Sequence, residues 1–477
     1  MSNTSFKPTL TLLDATMIVA GSMIGSGIFI VSADIVRNVG SSGWLMMVWF
    51  LTGFMTIIAA VSYGELSAMF PKAGGQYVYL KESYNPLVGF LYGWSFFAVI
   101  QTGTIAAVGV AFSKFTAYLI PQVSEDLVLF SIGSFKISPA QVLSIVTIIL
   151  LTYINTRGVK NGKIIQTTFT ITKLVSLFGL IVIGLFAVKS DVWHANWSNA
   201  WKLQPMKADG SVGDYMAAAG FGAIAASMVG SIFSSVAWEN VTFIAGEIKN
   251  PKRNIGLSLF LGTFIVTIVY VAANIMYTAV LPLHEIAGAE KDRVAVAASN
   301  AIFGGTHAAG ALNTGTLVMA VMIMISTFGC NNGLILSGAR VYYTMAKDGL
   351  FFKKTGELNK NAVPQFGLWI QCVVASLLCL SGKYGDLLDM VSFVVVIFYV
   401  LTILGIFILR KTRPDAERPY KAFGYPVLPA LYIIMGLTFC SLLIIYKPNF
   451  TWPGLIIVLI GIPIYYIALA NKKTDEI

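Results

Sequence analysis

Long apolar runs separated by short polar connections dominate the chain. A helix that crosses a bilayer needs about 20 mostly apolar residues. Such segments recur twelve times, at 12–36, 44–69, 86–118, 138–156, 163–188, 214–245, 255–281, 312–346, 364–382, 387–409, 427–446 and 453–471. The short alternating strands of a transmembrane barrel are not the pattern here. The two longest connections, about 189–213 and 282–311, have room for short surface helices at most, and no soluble domain is predicted. The first apolar stretch is too long for the core of a cleavable signal peptide, and no small-residue cleavage site follows it.

An even number of crossings puts both termini on one side, and the basic residues say which. Of the 32 Lys and Arg, 21 fall in the termini and in the connections after even-numbered helices, including Arg157, Lys160, Lys249, Lys252, Arg253, Arg410, Lys411 and Arg413. This bias predicts a multi-pass protein of the cell membrane with cytosolic termini. The net charge of +10 is then an orientation signal, and no nucleic-acid partner is expected.

Composition narrows the class further. Hydrophobic residues make up 56% of the 477 and charged residues only 11%, against about 25% charged in a soluble domain. A soluble or disordered chain is excluded. The four cysteines, Cys330, Cys372, Cys379 and Cys440, all lie in apolar stretches, so a disulfide scaffold is excluded too.

Two helices carry signs of interruption. The first contains Gly21-Ser22-Met23-Ile24-Gly25-Ser26-Gly27. Small residues at this density suit either close helix packing or an unwound stretch whose following half-helix aims its free N–H groups at an anion. The sixth contains Gly230-Ser231-Ile232-Phe233-Ser234-Ser235-Val236-Ala237-Trp238-Glu239, a weaker breaker by itself. Backbone at membrane depth unwinds only beside protein or a water-filled cavity. Helices 1 and 6 are corresponding members of two five-helix halves, and paired interruptions of that kind point to a transporter binding site.

Two ionisable residues sit deep in the apolar segments, Lys173 and Glu239. Intramembrane charges are costly, which makes both functional candidates; a structural tie to backbone carbonyls is the alternative. Glu65, Lys114 and Arg340 lie toward helix ends, where long side chains snorkel. His194, His284 and His307 fall in connections, and no metal-ligand spacing, phosphate-binding loop or Ser-His-Asp arrangement is present. No cofactor, metal or ATP use is expected, and no enzyme activity.

Taken together, the motifs Gly21–Phe29, Ser62-Tyr63-Gly64-Glu65-Leu66, Lys72-Ala73-Gly74-Gly75-Gln76-Tyr77-Val78-Tyr79, Phe328–Gly333, Gly338–Ala346 and Glu417-Arg418-Pro419-Tyr420 extend over nearly the whole chain. In this order and spacing the sequence resembles the amino acid–polyamine–organocation superfamily, and within it the L-type amino acid transporter branch. The resemblance implies an all-α, twelve-helix membrane protein with a LeuT-type five-plus-five inverted repeat, the halves covering 12–188 and 214–409, and two peripheral helices at 427–471. It implies an L-amino acid substrate. The carboxylate would lie on the N–H groups of Gly25, Ser26 and Gly27, and the amino group on the carbonyls of Met23, Phe233, Ser234 and Val236. Ser22, Ile24, Glu239, Val394 and Phe398 would surround the side chain, with Phe233 closing over it. Lys173 matches a lysine that stands in for sodium in similar transporters, beside Ser326 and Thr327.

Some positions depart from the family pattern. Val236-Ala237 stands where a glycine pair is common, which stiffens the break. The connection at about 119–137 has no cysteine, so the disulfide-linked heavy chain of animal relatives is not expected. The expected function is sodium-independent exchange of neutral L-amino acids, with proton-coupled symport as the alternative. A non-transporting amino acid sensor and a membrane-embedded enzyme are the competing classes; the sensor lacks a signalling tail and the enzyme a catalytic constellation.

Overall fold

The computed structural model describes residues 6, 8–132, 135–215, 217–304, 314–381 and 384–475. His307 lies outside them. The described chain is almost entirely helical, with one small hairpin, β1 (Phe130–Ile132) and β2 (Phe135–Ile137).

The first apolar segment is three helices: α1 (Leu12–Met23), α2 (Gly27–Ile30) and α3 (Ser32–Val39). α1 starts at a capping box, with the Thr11 hydroxyl accepting from Asp14 N and Asp14 Oδ2 accepting from Thr11 N at 2.8 Å. Then follow α4 (Ser42–Met69), the short α5 (Gln76–Ser83) and α6 (Pro86–Ser95), which passes through a π-helical turn, Phe96–Ile100, into α7 (Gln101–Thr116). α8 (Pro139–Thr156) and α9 (Val159–Phe186) follow, and α10 (Ser190–Ser198) lies in the next connection.

Next come α11 (Ala217–Ser234), a break, and α12 (Asn240–Phe243). It continues through α13 (Pro251–Val280), α14 (Leu283–Ala287), α15 (Val294–Phe303), α16 (Thr314–Lys347), α17 (Gln365–Ser381) and α18 (Tyr384–Thr412). α19 (Val427–Tyr446) and α20 (Pro448–Asp475) end the described chain.

Helix therefore occupies each of the twelve apolar segments, and among the described residues ten are long and apolar enough to cross a membrane. Ala219–Ser234 and Gln365–Leu380 are apolar but shorter. The segment from α1 through α2 is the most enclosed, with 94% of its apolar window buried, while the α20 window is 22% buried. The broken helix is thus central and the last helix peripheral. α1 packs on α9, α13 and α16, and α11 packs on α3, α4, α18 and α19.

Two expectations need correction. The connection at 282–311 holds more than surface helix: in α15, Val294, Ala295, Val296 and Ala298 are buried, and the helix packs against α2, α9, α13 and α16. Its apolar run, VAVAA, has too little polar surface to stay in water. Glu65 and Arg340 do not snorkel. Both are buried ion pairs at the end of the molecule that carries Leu10. Arg410 makes a two-pronged contact with Glu65 at 3.0 and 2.6 Å, and Arg340 Nε donates to Glu247 at 3.0 Å. A partner within reach offsets the cost of dehydrating each charge. Lys114 also pairs, with Glu125 at 3.3 Å.

Candidate functional site

Both suspected interruptions are real breaks. α1 stops at Met23, Ile24 is extended (φ −76°, ψ 91°), and helix resumes at Gly27. α11 stops at Ser234, and helix resumes only at Asn240. Between them Ala237 adopts φ 69°, a left-handed conformation that glycine takes freely and a Cβ-bearing residue rarely does.

Unwinding leaves carbonyls without helical partners, and each must be satisfied in a dry interior. The break in the first helix meets this almost entirely with side chains from other helices. The Lys173 ammonium on α9 donates to Gly21 O and to Ile24 O, both at 2.6 Å. Cys330 Sγ on α16 donates to Ser22 O at 3.1 Å. Tyr270 Oη on α13 reaches Met23 O at 3.1 Å, and Ser326 Oγ on α16 reaches Ile24 O at 3.2 Å and Gly25 O at 3.1 Å. Thr327 does not join them. Its hydroxyl bonds back to Ile323 O and Met324 O of its own helix, because the neighbouring Ser326 occupies the face turned to the break.

The two breaks touch. A Cβ at Gly27 would fall 1.9 Å from Ser234 Oγ and 3.1 Å from Ser234 Cα, so only glycine permits this approach. Tyr270 ties the junction a second time, since its hydroxyl also reaches Ser234 O at 2.9 Å. One proton serves both carbonyls, Met23 O and Ser234 O. Gly25 N donates to Met23 O at 2.9 Å and Val236 N to Phe233 O at 3.4 Å. Ser22 Oγ is buried without a hydrogen-bond partner among the described residues. Ile24, Ser26, Phe233 and Val236 are buried at the same junction.

Beside the second break lies a cavity of about 20 Å³ lined by Thr52, Ser235, Val236, Val396, Tyr399 and Tyr432 among others, room for about one water.

Glu239 follows the second break and is buried, accepting from Tyr399 Oη at 2.5 Å. Trp238, Tyr63 and Tyr399 pack around it with ring centroids 4.7 to 6.0 Å apart. Among the described residues Glu239 and Lys173 form no ion pair; each has its own uncharged partners. On α18, Val394 faces away from the junction, its Cγ2 3.0 Å from where a Cβ would stand on Gly454 of α20. Phe398 packs edge-on against Tyr92 of α6, with centroids 5.3 Å apart. His194 lies on α10 and His284 on α14, and among the described residues no group of three or more His, Cys, Asp or Glu is placed to hold a metal.

The sequence assigned neither Tyr270 nor Cys330 to the site. For Tyr270 a signal existed. Tyr270, Asn274 and Tyr277 recur at helical spacing on α13, and all three face the first segment. Asn274 Oδ1 accepts from Ser32 Oγ at 2.6 Å, and Tyr277 Oη donates to Ile28 O at 3.3 Å.

The family model described as "Amino acid permease" matches residues 10–469. The chain belongs to that family. The permease is 28% identical to the human "Large neutral amino acids transporter small subunit 2" over 98% of this chain and 81% of the relative. It is 28% identical to "Serine/threonine exchanger SteT" of Bacillus subtilis (strain 168) over 96% of each chain. It is 27% identical to the mouse "Asc-type amino acid transporter 1" over 98% of this chain and 82% of the relative. These relatives are amino acid transporters and not enzymes, and this permease is a multi-pass membrane protein of the same kind.

Proposed function

We propose that this permease exchanges neutral L-amino acids across the cell membrane without sodium, by alternating access around the junction of α1–α2 with α11–α12. The observation that carries the reading is Lys173, whose ammonium donates at 2.6 Å to both Gly21 O and Ile24 O. A fixed cation at these carbonyls makes a second cation beside it unfavourable. In the proposed mode the substrate carboxylate lies against the N–H groups of Gly25, Ser26 and Gly27, and its ammonium against the carbonyls of Met23, Phe233, Ser234 and Val236. Helix N-termini hold anions and unwound carbonyls hold cations. Gly27 must part from Ser234 for this to happen, which gives substrate entry a defined movement.

The proposed topology is twelve crossings in a five-plus-five inverted repeat with two peripheral helices, and the end that carries Leu10 in the cytosol. Both ends of the junction are latched: Glu65–Arg410 and Glu247–Arg340 on the Leu10 side, Arg37–Asp292 on the other. A neutral substrate fits the apolar side chains of Ile24, Phe233 and Val236, all buried at the junction. A covalently attached heavy chain is not part of the proposal, since 117–138 has no cysteine.

Proton-coupled symport is a second reading, favoured by Glu239, a buried carboxyl that accepts from the Tyr399 hydroxyl. The test is uptake into proteoliposomes with a panel of labelled amino acids, in sodium or choline, with and without internal amino acid. Uptake that needs internal amino acid and ignores sodium supports exchange. Uptake that ignores internal amino acid and follows an imposed proton gradient supports symport.

A further inference from the structure

Between α14 and α15 three consecutive residues each bind a different part of the molecule. Lys291 Nζ lies 2.5 Å from Asp126 Oδ2 and 3.8 Å from Glu125 Oε1, in the connection between α7 and α8. Asp292 Oδ1 accepts from Arg37 Nη1 of α3 at 2.7 Å, and the same guanidinium donates to Ala287 O at 2.9 Å. Arg293 donates to Lys114 O at 3.0 Å at the end of α7, with its guanidinium 4.3 Å from the Tyr118 ring centroid. Lys291 and Asp292 both hold positive φ, 50° and 64°, a conformation that side chains other than glycine adopt when surrounding contacts impose it. The Lys291 contact also holds the Asp126 carboxyl below its usual range.

The two ends of this segment belong to different bodies. Arg37 rides on the half of the first helix beyond its break. Glu125, Asp126 and Lys114 belong to the end of α7 and its connection. Val294, the next residue after the three, starts α15, which packs on α2. We infer that Lys291-Asp292-Arg293 is an ionic strap that clamps the outer half of the broken helix to α7 and holds the outer side of the junction shut, with the Arg37–Asp292 contact as its releasable end. It rests on the alternating-access reading, in which that half-helix must move.

The strap is tested without transport. Cys330 is buried at the break, bonded to Ser22 O, and reports access to the junction. The measurement is its labelling rate by a charged methanethiosulfonate reagent on purified protein, read by mass spectrometry of the Cys330 peptide apart from those of Cys372, Cys379 and Cys440. Asp292→Asn and Lys291→Gln are expected to speed labelling about fivefold each, the factor that one half-exposed ion pair supplies. The exchanged pair Arg37→Asp with Asp292→Arg should return it toward the original rate. Unaltered protein needs no refolded variant: its labelling should accelerate as sodium chloride rises from about 0.05 to 0.5 M, because screening weakens exposed pairs. An unchanged rate in both single variants and across the salt range overturns the strap, as does an exchanged pair that stays as fast as Asp292→Asn. Loss of the transport reading would show in the uptake assay and leave these rates untouched.

Discussion

Lys173 and Ser326 converge on one oxygen: Ile24 O accepts from the ammonium at 2.6 Å and from the hydroxyl at 3.2 Å. The carbonyl comes from the break in the first helix, the ammonium from α9 and the hydroxyl from α16. Three helices are thus tied at the point where one of them has given up its own hydrogen bonds.

Removing either donor should have unequal effects. Lys173→Ala leaves Gly21 O without its side-chain donor and strips Ile24 O of its shorter contact, at about 1–3 kcal/mol for each buried group left unsatisfied. Exchange in proteoliposomes should fall at least about tenfold. Ser326→Ala also leaves one carbonyl, Gly25 O, without its side-chain donor, but it should cost less, since Ile24 O keeps its shorter contact with Lys173. In the unaltered protein, sodium and choline should support equal rates. A clear sodium requirement would remove Lys173 from the role proposed for it.

Tyr270→Phe deletes one hydroxyl that serves Met23 O on one broken helix and Ser234 O on the other. The ring stays, and it packs edge-on against Trp49 with centroids 5.2 Å apart, so the fold should survive. A loss of about 1–3 kcal/mol is expected at the junction, read as a lower midpoint in a thermal-shift assay. Substrate should restore more of that midpoint in the variant than in the parent, because its ammonium would supply donors to the same two carbonyls. Equal substrate-induced shifts would count against the proposed ammonium site.

Much of this junction was legible in the chain. Gly21 to Gly27 carries too many small residues for an unbroken helix, and Lys173 and Glu239 stand out as charges inside apolar runs. The break after Ser234 was left open by the sequence because serines do not forbid helix. It is resolved by tertiary contact: Tyr270 takes Ser234 O, and the Ser234 side chain lies against Gly27. The pairing of Arg340 with Glu247, 93 residues apart, leaves no local trace. Nor does the direction in which Val394 points, since its helix is apolar on nearly every side.

Gly27→Val tests the approach of the two breaks. The Cβ alone would sit 2.7 Å from Ser234 Cβ, so even Gly27→Ala must push the half-helices apart. Binding should be lost in both variants, and adding Ser234→Gly to Gly27→Ala should recover part of it. Recovery is measured by scintillation proximity with labelled substrate. Undiminished affinity in Gly27→Val would move the carboxylate elsewhere.

Ala237 offers a test with the opposite sign. At φ 69° its Cβ strains the backbone, whereas glycine takes the conformation freely. Ala237→Gly should therefore preserve or raise the thermal midpoint, and Ala237→Val, branched at Cβ, should lower stability by at least about 1–2 kcal/mol. If Ala237→Gly instead destabilised the protein as much as Ala237→Val, the left-handed turn would not be what limits this break.

Glu239 separates the two coupling modes. Its carboxyl is buried and takes the Tyr399 hydroxyl at 2.5 Å. Glu239→Gln keeps an oxygen to accept that bond but carries neither a charge nor an exchangeable acid proton. If Glu239 moves a proton during the cycle, uptake by the unaltered protein should rise as external pH falls, and Glu239→Gln should flatten that response while leaving exchange at a fixed pH largely intact. If Glu239 stays ionised, the variant should lose cationic substrates selectively and keep the neutral ones. Identical pH profiles and identical substrate panels in the two proteins would leave the residue a structural partner of Tyr399, with its carboxyl serving to hold α18 against the second break.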